Sequence, residues 1–100
     1  MLKLLFSARS RQDLIEIWDY IAADSVRQAE AVHERIYQCC EKLIDQPRIG
    51  HRRDDVKRGL RCLNTDGYVI FYRISPHHVG ISRIVHHSRK HSTLTLDESP

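Results

Sequence analysis

The chain reads as an α+β domain, a helical hairpin packed on a small antiparallel β-sheet in the order β-α-α-β-β-β. Three observations carry this reading. The first half holds two stretches with apolar residues at helical spacing, parted by Asp24-Ser25. The segment from Tyr68 to His86 is dense in aromatic and β-branched residues and is interrupted only at Ser75-Pro76. Just before it stands Asp66-Gly67, a hairpin signal because glycine tolerates positive φ. One hundred residues support one domain, here 1–96, with residues 97–100 as an acidic C-terminal tail.

Each element follows in order. Residues 2–6 (LKLLF) form a first strand that adds to the later meander. Ser7 can cap a helix running from about Ala8 to Ala23, with Leu14, Ile15, Ile17, Trp18, Ile21 and Ala22 on its apolar side. Asp13, Glu16 and Asp19 fall largely between these and are expected to face solvent, whereas Trp18 is expected in the core. Ser25 caps a second helix patterned by Ala29, Val32, Ile36, Cys40, Leu43 and Ile44, and Pro47 ends it. The break is short, so the helices form an antiparallel hairpin. Pro47 to Arg58 lacks periodicity and reads as exposed loop. Strands are then expected over 59–64, Tyr68–Ile74 and Val79–His86, with turns at Asp66-Gly67 and Ser75-Pro76-His77-His78. Residues 87–96 suit either a helical turn or a loose tail. The hairpin must cover one sheet face to bury its apolar stripes; the other face is expected to be concave and partly open, and functional.

Composition narrows the classes. A hydrophobic fraction of 41% is enough for one two-layer core. The longest apolar run falls far short of the ~20 residues that span a bilayer, and Met1–Phe6 lacks the form of a signal peptide. Cys39, Cys40 and Cys62 have no zinc-finger spacing and read as reduced thiols of a cytoplasmic protein. Charge is uneven: residues 1–47 hold six bases against eight acids, and residues 48–96 hold ten against three. Twelve of the sixteen bases are arginine, the side chain suited to two-point contact with carboxylate or phosphate, so the second half suits an acidic partner.

The chemically capable side chains lie on or after the sheet. Arg61, Tyr72, Arg73, Arg83, His86 and Arg89 can converge, in whole or in part, depending on a strand register the sequence does not specify. Acid–base cleavage of RNA would need a base, a cation and an acid from such a set. A basic, aromatic-bearing surface that binds a protein is the other functional reading, against ordinary solvated arginines and core tyrosines. His87 and His91 are four apart, but no third ligand joins them, and no metal or other cofactor is expected.

Five segments together resemble the ParE branch of the RelE/ParE superfamily of bacterial toxins. They are FSARSRQDLIEIWDYI from Phe6 to Ile21, LIDQPRIG from Leu43 to Gly50, GLR from Gly59 to Arg61, YVIFYRI from Tyr68 to Ile74, and ISRIVHHSR from Ile81 to Arg89. The resemblance covers nearly the whole chain, from Leu4 to about Lys90. It implies a RelE/ParE-like toxin domain, held inactive in a heteromeric complex by a cognate ParD-like antitoxin. It implies inhibition of DNA gyrase by binding rather than catalysis, with no membrane and no required nucleic-acid contact. Arg83, His86 and Arg89 are then the target-binding residues. The RelE branch cleaves messenger RNA on the ribosome instead, and that alternative would use Arg61, Tyr72, Arg83 and His86. A third possibility is a toxin that has lost activity and only binds antitoxin. ParE-like chains often end His-Gly-x-Arg-Asp; His86 and Arg89 match, while His87 and Lys90 replace the glycine and aspartate.

Overall fold

The computed structural model describes residues 2–89, 91, 94 and 96. Its elements run β1 (Lys3–Phe6), α1 (Ala8–Ala22), α2 (Val26–Asp45), β2 (His51–Arg52), β3 (Arg61–Thr65), β4 (Tyr68–Ile74) and β5 (His78–His86). Both helices start at serines: the Ser10 amide donates to Ser7 Oγ and the Gln28 amide to Ser25 Oγ, satisfying orphan N–H groups of each first turn. At the β3–β4 turn Asp66 and Gly67 both have positive φ, 52° and 81°, which matches the right-handed twist of the flanking strands. Residues 97–100 and Lys90 lie outside the described residues.

The sheet has five strands in the order β1-β5-β4-β3-β2. β3, β4 and β5 form the expected antiparallel meander. β1, however, lies parallel to β5, with Lys3 opposite His78 and Phe6 opposite Ile81, so the sheet is mixed. The two-helix crossover returns the chain to the same end of the sheet, which makes a parallel pairing the natural one. The segment read as loop contributes the short edge strand β2, His78 belongs to β5 rather than to the turn, and β3 starts two residues later than expected because Gly59 adopts φ 83°.

The main core lies between the helices and the sheet. Ile17, Val32, Ile36, Cys40 and Leu43 pack there against Ile70, Tyr72, Val79, Ile81 and Ile84. Trp18 is not among these residues. It is half-buried, its ring edge-on to His33 at 5.3 Å along the helix–helix seam. The opposite face is not open either: Leu60, Cys62, Val69, Phe71 and Val85 form a second core, covered by Val56, Leu94 and Leu96. Successive side chains of a strand point to opposite faces, so alternation places Val69, Phe71 and Cys62 here, and the loop before β3 and the segment after β5 cover them.

Candidate functional site

With both sheet faces covered, the concavity moves to the end of the sheet. Arg9, Asp13, Glu16 and Tyr20 follow one another at steps of four, three and four residues, which places them on one stripe of α1. That stripe faces the C-terminal end of β5. Between the two lies a cleft of about 520 Å³ lined on one side by this stripe and on the other by Tyr68, His86, Ser88 and Arg89, over an apolar floor of Ile17, Ile84 and Val85.

Asp13 fixes the relation between its walls. Its side chain is 4% exposed, not solvated as its spacing suggested, and it accepts from Arg83 Nε at 2.8 Å and Nη2 at 3.1 Å. It also accepts the Ile84 amide at 2.9 Å. β1 ends at Phe6, and beyond that point side chains complete the β5 backbone: Ser7 Oγ donates to the Ser82 carbonyl and Asp13 takes the Ile84 N–H. A register shift aims Arg83. Phe71 pairs with Arg83 but Tyr72 pairs with Ile81, leaving Ser82 as the extra residue of a bulge. Simple alternation, which groups Ile81, Arg83 and Val85, therefore fails across Ser82. Arg83 is 1% exposed, and its expected role as a surface contact or an RNA-cleaving group is corrected to an internal ion pair.

Beyond the bulge, β5 delivers His86 to the surface. The Ser88 amide donates to His86 Nδ1 at 3.3 Å, and the Ser88 hydroxyl lies 2.7 Å from the same nitrogen. Tyr68 stands edge-on to the His86 ring at 5.6 Å. Burial pushes the Tyr68 phenol above its ordinary range, and the nearby Tyr20 phenol adds to this. Arg89 follows in a turn closed by its amide on the His86 carbonyl, is exposed, and has no ion-pair partner among the described residues. His87, adjacent to His86 with ring centroids at 4.4 Å, donates from Nδ1 to the Gly67 carbonyl, since a carbonyl can only accept.

The other candidates do not join them. Tyr72 is fully buried, its hydroxyl donating to the Pro47 carbonyl at 2.7 Å and accepting the Gly50 amide at 3.0 Å. Arg61 donates to the carbonyls of Gly50 and Arg48 on the same loop. Both residues tie the segment after α2 to the sheet. Arg73 donates to the Arg58 carbonyl. His91 packs edge-on against Phe71 and meets Arg53, far in bonding terms from His87. Among the described residues no group of three or more potential ligands can hold a metal ion, and no helix is long and apolar enough to cross a membrane. Of the expected set, His86 and Arg89 meet at the cleft. Arg9, Glu16, Tyr20 and Tyr68 were missed as its lining, although the Arg9–Asp13–Glu16–Tyr20 spacing was a visible signal.

Two helices laid on a five-stranded mixed sheet, with a basic and aromatic cleft at the end of its last strand, form the architecture expected of the RelE/ParE superfamily. Residues 4–91 match the family model described as the ParE toxin of type II toxin-antitoxin system, parDE, and the chain belongs to that family. It is 28% identical over 86 residues to Toxin ParE1 of Mycobacterium tuberculosis (strain CDC 1551 / Oshkosh), covering 84% of this chain and 88% of the relative. Toxin ParE1 of Caulobacter vibrioides is 29% identical over 83 residues, 82% of this chain and 85% of the relative. The fold matches a chain of a solved chromosomal ParDE TA system from P. aeruginosa with a TM-score of 0.74 at 21% identity, covering 86% of this chain and 96% of that one.

Proposed function

We propose that this chain inhibits DNA gyrase by binding it through the cleft at the end of β5, with His86 and Arg89 as contacts. A ParD-like antitoxin holds it in an inactive heteromeric complex, and the site of action is the cytoplasm. Membership of the ParE family supports this reading. The observation that carries it is the division of labour among the arginines and tyrosines. RNA cleavage needs a base, a cation and an acid free to converge on one phosphate. Arg83 is bonded to Asp13, Tyr72 to Pro47 and Gly50, and Arg61 to loop carbonyls, which leaves His86 as the exposed member of the nuclease set. An exposed histidine and arginine rimming an apolar-floored cleft suit protein recognition instead.

The test is to incubate the purified chain with DNA gyrase and relaxed plasmid, and to measure supercoiling and trapped cleavage. Inhibition that added antitoxin reverses is the expected result. An inert gyrase assay together with cleavage of translated messenger RNA would replace this reading by the endoribonuclease one, and silence in both assays would leave an antitoxin-binding module.

A further inference from the structure

We propose that the cleft between α1 and the end of β5 receives an acidic segment of the target protein that carries an aromatic or branched aliphatic side chain, and that Arg9 and Tyr20 recognise it together with Arg89. This rests on the target-binding reading above and adds the chemistry of what is bound.

Charge argues for the acidic character. Asp13 and Arg83 neutralise each other beneath the floor. Arg9 reaches Asp13 at 3.4 Å and Glu16 at 3.6 Å, so among the described residues Glu16 is the wall carboxylate left to oppose it, and Glu16 is 55% exposed. Arg89 has no carboxylate partner among the described residues. Among the described residues the rim therefore carries the guanidiniums of Arg9 and Arg89 against the solvated carboxylate of Glu16, a net positive opening into which a carboxylate can be drawn.

Tyr20 argues for the side chain that accompanies it. It is 80% exposed, so it contributes little to the core, yet it stands at the end of the α1 stripe facing Tyr68 across the cleft. Tyrosine supplies a large, stiff, half-apolar contact surface at low entropy cost, which is why it is enriched at interface centres. Beneath the two phenols lie Ile17, Ile84 and Val85, an apolar floor for one ring or branched chain.

The test uses a six-residue peptide of alternating Asp and Glu around a central Phe, and its Asn/Gln counterpart, titrated into the chain by NMR. Gyrase holoenzyme binding is measured in parallel for the wild type, Tyr20→Ala, Arg9→Gln and Ile15→Ala. Ile15 is exposed on α1 outside the cleft and serves as the control. The acidic peptide is expected to shift signals of Tyr20, Tyr68 and Val85 and to bind about tenfold more tightly than its amide counterpart. Tyr20→Ala and Arg9→Gln are expected to weaken gyrase binding about tenfold, Ile15→Ala less than about twofold. Equal binding of the two peptides, or gyrase binding unchanged by Tyr20→Ala and Arg9→Gln, overturns the proposal while leaving gyrase as the target. Peptide binding at the cleft without any gyrase binding upholds the proposal and removes gyrase.

Discussion

Asp13 and Arg83, seventy positions apart, meet in a two-point ion pair with exposures of 4% and 1%. The same carboxylate accepts the Ile84 amide. One side chain of α1 thus holds both the charge and the backbone of β5 two residues before His86.

Asp13→Ala should cost about 3–5 kcal/mol, because it strands a buried guanidinium and an amide together. Asp13→Asn should cost less, since its carbonyl oxygen can still accept. The double variant Asp13→Leu with Arg83→Met should recover part of the loss, since removing both charges leaves only the Ile84 amide without its acceptor. Urea unfolding of these proteins and of the single variants Asp13→Leu and Arg83→Met decides it; additive losses in the double variant would mean the pair is not coupled.

Arg89→Ala should separate binding from folding. The residue is exposed and unpaired among the described residues, so stability should change by less than about 0.5 kcal/mol. Gyrase inhibition should fall. Full inhibition with native unfolding would take Arg89 out of the site.

Gly50 and Tyr72 form a close-packed lock behind the sheet. A Cβ at Gly50 would press on the Tyr72 hydroxyl and lie 2.6 Å from the Cys62 carbonyl. Tyr72→Phe should cost about 1–3 kcal/mol through the loss of partners for the Gly50 amide and Pro47 carbonyl. Gly50→Ala should cost more than that, and combining the two should relieve only part of it, because the Cys62 carbonyl is backbone and cannot move aside. Thermal unfolding of the three variants measures the coupling.

His91 links stability to pH. Its imidazole accepts from Arg53 Nη1 at 2.8 Å, and among the described residues its buried Nε2 has no hydrogen-bond partner. Burial, with Arg53 beside it, lowers its pKa below the ordinary 6.5. The unfolded chain therefore binds the proton more readily than the folded one, so this contribution is present above pH 6.5 and is lost as pH falls below it. His91→Leu should flatten the midpoint temperature across that window; an unchanged slope would assign the pH dependence elsewhere.

Cys39 and Cys40 should be inert in the native state. Burial raises the Cys39 thiol and pushes Cys40 up to about 12, so little thiolate exists at neutral pH. A disulfide reagent should label them at the rate of unfolding. Rapid native labelling would contradict the burial of α2 against the sheet.

Local signals carried most of the fold. Ser7 and Ser25, Pro47, and Asp66-Gly67 act within a few residues of their own position, and the elements they bound occur where expected. Non-local choices did not announce themselves. Nothing in Lys3–Phe6 says whether it will run parallel or antiparallel to its partner, because that depends on where the helical hairpin returns the chain. The Ser82 bulge inverts the facing of every later residue in β5, so counting by twos misplaces Arg83. Asp13 resembles its solvated neighbours Glu16 and Asp19 in sequence; only a guanidinium brought from seventy residues away makes its burial tolerable. The cleft was half legible, since His86 and Arg89 sit together in the chain, while its other wall comes from α1.

β5 is the seam of this molecule: it is bonded on one side to β4 and on the other to β1. A ribosome making the chain at about 5–20 residues per second releases β1 first and β5 last. Until β5 emerges, Lys3–Phe6 has no strand to join, Asp13 has no arginine, and His86 and Arg89 do not yet exist. The cleft between α1 and β5 therefore cannot assemble on the ribosome until β5 has emerged, however early α1 has folded.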